Sequence, residues 1–106
     1  MFPKKKRVTK ELFQAVMKKG DTLSSPLFVF RYLKQENPQY AFIAPKSVAK
    51  QASDRNKLRR QGYNALKSFN IKHGIGLFFY KKPAKNATFT EIKADIQLIL
   101  TKSKLL

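Results

Sequence analysis

The sequence predicts an α+β fold, an α/β sandwich in which a small mixed sheet packs against helices in the order α-β-β-α-β-α, with an extra short strand in the hairpin region as an alternative. Three segments carry apolar residues at helical spacing, and three short segments are rich in aromatic and β-branched residues. Turn residues separate them. The 106 residues suffice for one hydrophobic core but not for two. We therefore expect a single domain over residues 1–106.

The first helix is predicted from Lys10 to Lys19. Thr9 is a suitable N-cap, Glu11 places a negative charge in the first turn, and Gly20 ends the helix. Four residues in two adjacent pairs are apolar, which is more than a short helix needs for docking: Leu12, Phe13, Val16 and Met17. Phe13 and Met17 therefore either complete the core or line a cleft in which a base can stack.

Two β-type segments follow, Leu27–Lys34 and Tyr40–Ala44, joined by a turn at residues 35–39. A five-residue connection is too short for a parallel crossover, so we expect an antiparallel hairpin. Alternation puts Phe28, Phe30 and Tyr32 on one face, and Leu27, Val29, Arg31 and Leu33 on the other. The second face is either open to single-stranded RNA or covered by helices, and the pattern favours neither.

The segment Lys46–Phe69 contains a strongly basic helix. Its apolar stripe follows helical spacing and consists of Leu58, Gly62, Ala65, Leu66 and Phe69. Ser53 or Asp54 is expected at the N-cap. Gly62 inside the stripe costs about 1 kcal/mol relative to Ala, which indicates a close approach to another backbone.

The opposite side of this helix is a row of hydrogen-bond donors, Arg59, Tyr63, Asn56, Lys67, Arg60, Asn64 and Lys57, with Arg55 at its edge. Guanidinium groups bind phosphate bidentately, and asparagine offers donors and an acceptor. The alternative is an ordinary solvated face. However, Asp54 is the only carboxylate near these cations, so they lack partners one turn away. The pattern favours an RNA- or DNA-binding surface.

The last part of the chain predicts a strand and a helix. Ile75–Tyr80 is typical of a buried strand, and its parallel pairing with the preceding strand would place the basic helix in the crossover. Thr88 and Glu91 form a capping-box pattern. The helix that they begin carries an apolar stripe for covering the sheet: Ile92, Ile96, Ile99 and Leu100.

Composition narrows the function. The net charge of +17 favours a polyanionic partner, nucleic acid before an anionic membrane surface. No run approaches the ~20 apolar residues of a transmembrane helix. The basic start, residues 1–8, lacks an apolar stretch after it and is interpreted as a phosphate-contacting arm rather than a secretory or nuclear signal. The absence of cysteine fits a cytoplasmic protein.

The sequence predicts no catalytic residue and no metal ligand set. His73, the single histidine, lies in a polar loop without an orienting partner. Glu91 and Asp95 are four residues apart on one helix, where a solvated pair is expected because Glu91 is used for capping. No glycine-rich phosphate loop is present. The chain is therefore not expected to cleave a substrate alone.

The basic segment resembles the signature of the bacterial ribonuclease P protein component, a lysine followed by Arg-Asn-x-x-Lys-Arg on a helix. Lys46, then Arg55-Asn56 and Arg59-Arg60, match it. The start Phe2–Val8, Phe13 and Gly20 also resemble the family, so the likeness runs from Phe2 to about Thr101, as in a divergent member. Three positions depart from the pattern: Lys57 replaces a usual Arg, Arg59 a usual Lys, and Tyr63 a usual Arg.

This resemblance implies a left-handed strand–helix–strand crossover and a protein subunit of ribonuclease P. In that complex the RNA subunit hydrolyses the 5′ leader from precursor tRNA, with Mg²⁺ held mainly by the RNA. The implied partners are ribonuclease P RNA and precursor tRNA, without a membrane or a required protein partner. The runner-up is a structural, ribosomal-type RNA-binding domain; a DNA-binding module is less favoured because no helix-turn-helix pattern is present.

The same resemblance, with the chemistry of the side chains, assigns two sets of site residues. The catalytic RNA is expected to contact Lys46, Arg55, Asn56, Lys57 and Arg60. The leader is expected to lie in a cleft between the first helix, the sheet and the basic helix, against Phe13, Met17, Arg31, Arg59 and Tyr63.

Overall fold

A computed structural model of the chain describes residues 9–36, 38–71 and 73–105; the predicted basic arm lies outside them. The predicted α+β class is confirmed, and one additional short strand gives the order α-β-β-β-α-β-α. No helix in the described ranges is long and apolar enough to span a bilayer. The elements are α1 (Lys10–Lys19), β1 (Asp21–Ser24), β2 (Phe28–Leu33), β3 (Gln39–Ile43), α2 (Ala52–Leu66), β4 (Ile75–Tyr80), a 3-10 helix (Lys82–Asn86) and α3 (Phe89–Lys102).

The four strands form one mixed sheet in the order β1-β2-β4-β3. The predicted hairpin of β2 with β3 is therefore wrong, because β4 lies between them, antiparallel to β2 and parallel to β3. β4 is buried at five of its six positions, which is consistent with a central strand that pairs with a neighbour on both of its edges. The predicted parallel pairing across α2 is confirmed, and the handedness of that crossover stays a prediction.

The additional strand, β1, forms a hairpin with β2. This strand has only four residues, three of them polar and exposed, so hydrophobic patterning does not locate it. The hairpin turn is attached to α3 by Asp95, which accepts hydrogen bonds from Ser25 Oγ at 2.5 Å and Leu27 N at 3.0 Å. Asp95 is buried, so the expected solvated pair with Glu91 is wrong: Asp95 holds a turn distant in the sequence.

The sheet separates two apolar clusters of unequal size. The larger cluster joins α2 and α3 to the face that carries Phe28, Phe30 and Phe78. The smaller cluster joins Val16 of α1 to Ile75 and Leu77 on the opposite face. Since successive residues of a strand point to opposite faces, α1 and α2 lie on opposite sides of the sheet.

The basic helix α2 buries most of the predicted stripe, namely Leu58, Gly62, Ala65 and Leu66, but ends before Phe69. The predicted caps are wrong, because α2 begins one residue before Ser53 and its N-cap is Gln51, without a side-chain hydrogen bond. The close approach at Gly62 involves aromatic side chains rather than a backbone. A Cβ there would overlap Tyr80 Oη and the ring of Phe42.

The caps of the other two helices follow the predictions. Thr9 accepts a hydrogen bond from Leu12 N at the start of α1. At the start of α3, Thr88 and Glu91 form the reciprocal capping box. Hydrogen bonds from the Thr88 backbone and side chain lower the pKa of Glu91. The carboxylate at this helix start therefore stays ionised into mildly acidic solution.

The C-terminal end of α3 offers a test of the fold. Lys104 has φ 62°, and its N–H donates to Thr101 O while Leu105 N–H donates to Leu100 O, as in a Schellman motif. Left-handed backbone is strained for lysine, so Lys104→Gly is expected to raise the free energy of unfolding by about 0.5–1 kcal/mol. Thermal unfolding measures this. The control Lys102→Gly, inside the helix, should lower it by about 1 kcal/mol; equal effects at both positions would contradict the assignment.

Candidate nucleic-acid interface

The outward side of α2 and the loop before it form the main basic surface. Lys46, Asn56, Lys57 and Arg60 are exposed, whereas Arg55 and Arg59 are partly buried. Among the described residues no lysine or arginine forms an ion pair with a carboxylate. The positive charges on this surface are therefore not neutralised by neighbouring side chains within the described ranges, and together they can bind phosphates.

Arg55 connects the basic helix to the loop that precedes it. Its Nη1 donates to the carbonyl oxygens of Ala49 at 3.0 Å and Lys50 at 2.7 Å. These hydrogen bonds hold the loop against the first turn of α2, with Ala49 buried beneath it. Arg55 therefore has a structural role in addition to its predicted contact with RNA.

Arg59 and Asn56 form a pair one turn apart on α2. The Arg59 guanidinium donates to the Asn56 amide oxygen. With its oxygen turned toward Arg59, Asn56 keeps its amide nitrogen, which is a donor, available beside the positive guanidinium. Both members of the pair therefore present N–H groups, which suits an anionic ligand better than a base edge that needs an acceptor.

Tyr63 lies at the open edge of the sheet. The backbone N–H of Phe42, on the edge strand β3, donates to the Tyr63 hydroxyl at 3.3 Å. The two rings meet edge to face, with centroids 4.9 Å apart. Tyr63 is only partly exposed. The Tyr63 ring therefore packs on the protein and covers a backbone group at the β3 edge.

The second surface lies on the α1 side of the sheet. Phe13 packs edge to face against Phe79 with centroids 6.2 Å apart, and both are partly exposed. Met17 is 42% exposed and does not complete the core. The sheet adds further partly buried apolar residues here, among them Leu33, Ala41 and Ile43. They occupy alternate strand positions that face α1, so alternation in the sequence indicates this face, but they were not predicted as site residues.

Arg31 fastens α1 to this side of the sheet. Its guanidinium donates to the carbonyl oxygens of Met17 at 2.7 Å and Gly20 at 3.2 Å, and to Thr22 Oγ1 at 2.8 Å. A cation at the C-terminal end of a helix is stabilising. Arg31 therefore fixes the end of α1 on the sheet and thereby the position of Met17.

The predicted leader residues consequently fall into two groups. Phe13, Met17 and Arg31 lie on the α1 side, while Arg59 and Tyr63 belong to α2 on the opposite side. A single cleft bounded by both helices is not formed, and this part of the prediction is wrong. The two groups can be connected only around an edge of the sheet, and Tyr63 stands at the β3 edge.

Comparison with known proteins gives the family. The Ribonuclease P family model matches residues 2–104. The ribonuclease P protein component of a Nitratiruptor species is 31% identical over 102 residues, which cover 91% of this chain and 89% of that protein.

Solved structures support the fold. The Staphylococcus aureus RNase P protein superposes with a TM-score of 0.84 at 22% identity, covering 94% of this chain and 96% of that one. The Thermotoga maritima RNase P protein superposes with a TM-score of 0.80 at 17% identity, covering 91% and 96%. At these identities the likeness establishes a shared architecture.

Proposed function

The chain belongs to the ribonuclease P protein family, and from this premise we propose that it is the protein subunit that helps a catalytic RNA remove the 5′ leader from precursor tRNA. Membership itself implies RNA binding, tRNA processing and work with a ribonuclease P RNA. The observation that carries the finer proposal is the basic surface of α2, whose cations have no carboxylate partner among the described residues.

In this proposal the chemistry belongs to the RNA. The chain contains no cysteine and one histidine. The described residues offer no group of three or more histidine, cysteine, aspartate or glutamate side chains to hold a metal ion. As the family resemblance implies, Mg²⁺ is assigned to the RNA and to substrate phosphates, where it would activate water for hydrolysis. The protein lowers the Mg²⁺ requirement by neutralising crowded phosphates.

Contacts to the catalytic RNA are assigned to five residues. Lys46, Lys57 and Arg60 are exposed and supply charge. Asn56 is oriented by Arg59, and Arg55 shapes the loop while retaining part of its guanidinium surface. Since these groups recognise phosphates, their contribution does not depend on RNA sequence.

Leader binding is assigned mainly to the α1 side. Phe13 and Met17 offer apolar surface beside the sheet, and a single-stranded leader can stack there without sequence preference. Arg31 acts by holding α1 in place. Arg59 and Tyr63 can meet the leader only where it passes around the sheet edge, so their part is the smaller one.

Leader dependence tests this proposal against a structural RNA-binding domain. In the assembled holoenzyme, Phe13→Leu removes the ring but keeps an apolar side chain. Loss of one base stack, roughly 1 kcal/mol or more, should weaken binding of precursor tRNA by at least about 5-fold. Binding of mature tRNA, which lacks the leader, should not change. The measurement is the Kd of each tRNA.

Phe89→Leu is the matched control, since Phe89 is an exposed aromatic residue on α3, 41% accessible. It should leave both affinities unchanged. Equal losses for precursor and mature tRNA with Phe13→Leu would contradict the proposal and favour a general RNA binder.

A further inference from the structure

A groove beside the basic surface shares Lys57 with it, and the other residues of the groove have no assigned role. It lies between the first half of α2 and the 3-10 helix and has a volume of about 130 Å³. Lys57 and Gln61, one turn apart on α2, form one wall, and Lys85 and Asn86 form the other. Two lysines and two amide residues from elements that are distant in the sequence therefore line one space.

None of these four side chains forms a hydrogen bond or ion pair with another described residue. The groove also contains Asp54, which likewise has no such partner in the described ranges. Two lysines against one aspartate leave a net positive site. One carboxylate is too few to hold a divalent cation beside two ammonium groups, so the charge balance favours an anion.

Both walls are fixed to the core. Leu58, at the floor of the groove, is buried, and its carbonyl oxygen accepts a hydrogen bond from Tyr80 Oη at 2.5 Å. Burial raises the pKa of Tyr80, so this hydroxyl remains a donor in any ordinary buffer. On the other wall Ala84 is fully buried and Pro83 lies at the start of the 3-10 helix. The backbone of both walls is therefore held in place before a ligand binds.

We propose that this groove binds one backbone phosphate of the catalytic RNA, clamped between Lys57 and Lys85, with the Gln61 and Asn86 amides donating to its oxygens. The inference rests on the proposed function, because the phosphate belongs to the RNA partner. It extends the RNA-binding surface sideways from α2 onto the segment after β4. If Lys57 and Lys85 bind the same phosphate, their contributions to RNA affinity are coupled, whereas those of two unrelated surface lysines are independent.

The test is a double-mutant cycle on RNA affinity. The Kd of the full chain for a bacterial ribonuclease P RNA transcript is measured over a range of salt concentrations for the wild type, Lys57→Gln, Lys85→Gln and the double variant. One shared phosphate predicts that the double variant lowers the slope of log K against log salt by about 0.7–0.9 in magnitude, whereas two separate phosphates predict about twice that.

The affinities give a second readout. Each single substitution is expected to raise Kd by about 5-fold, and the double variant by less than the product, because the first substitution already opens the clamp. Lys57→Gln with Lys102→Gln, an exposed lysine on α3, is the control cycle and should be additive. Asp54→Asn should tighten binding by about 2-fold or more, since it removes the one negative charge from the groove.

The groove proposal is overturned if Lys85→Gln behaves like Lys102→Gln, if both cycles are additive, or if the double variant loses twice the slope. In each of these cases the wild-type chain still binds the RNA, and the proposed function stands. Failure of the wild type itself to bind or assist the RNA would instead reject the proposed function.

Discussion

Replacing Lys46, Lys57 and Arg60 together with glutamine is expected to weaken binding to a bacterial ribonuclease P RNA by about 100-fold. These three side chains are exposed and make no hydrogen bond or ion pair with other described residues. Their removal therefore subtracts phosphate contacts without disturbing the fold. The slope of log K against log salt should fall by about 2–3 in magnitude. Arg55 and Arg59 are left intact because both form hydrogen bonds within the protein.

The matched control removes the same charge elsewhere: Lys10→Gln, Lys93→Gln and Lys102→Gln, one from α1 and two from α3. If long-range electrostatic attraction alone determined binding, the two triple variants would lose equal RNA affinity. Contact with the RNA through α2 predicts a loss of less than about 5-fold for the control. Equal losses would show that net charge, rather than this surface, determines affinity.

Phe78→Ala is expected to lower the free energy of unfolding by about 3–5 kcal/mol, the largest single effect on stability that we predict. Phe78 is fully buried in β4 at the centre of the sheet. Its ring stacks on Phe42 with centroids 4.6 Å apart and also contacts Phe30 at 4.4 Å and Phe28 at 5.4 Å. Alanine leaves a cavity among three rings. Urea denaturation monitored by circular dichroism measures the change.

Phe89→Ala controls for the loss of an aromatic residue as such. Phe89 is the first residue of α3 and is 41% exposed, so its replacement should cost less than about 1 kcal/mol. If both variants lose similar stability, the central position of β4 in the core is contradicted.

Local signals in the sequence predicted the elements, because a cap or an apolar run acts over a few residues. Thr9, the Thr88–Glu91 box and the stripe of α3 all hold in the structure. Strand order depends on which strand buries most apolar surface when it has a neighbour on each side, and here that strand is β4. This depends on β2, β3 and β4 together. The short connection between β2 and β3 is a local signal, and it wrongly predicted that these two strands pair.

The candidate site was predicted as a set of residue types, but its geometry depends on contacts across the chain. Exposure of Lys57 and Arg60 follows from helical periodicity, and Lys46 is exposed in the turn before α2. The attachment of Arg31 to the end of α1 and the groove shared by Lys57 and Lys85 do not, since each joins elements far apart in sequence. Asp95, assigned to solvent by its spacing from Glu91, is likewise buried against a distant turn.

The central claim is that the basic surface of α2 allows a catalytic RNA to process precursor tRNA. The most direct measurement is cleavage of a 5′-extended precursor tRNA by a bacterial ribonuclease P RNA at low Mg²⁺, without protein, with the wild-type chain, and with the Lys46/Lys57/Arg60 triple variant. We expect the wild type to restore cleavage at the mature 5′ end and the triple variant to fail at the same concentration. The account is contradicted if the wild type binds the RNA but does not change cleavage, and if the same result is obtained with the cognate RNA. The chain would then be a structural RNA-binding protein.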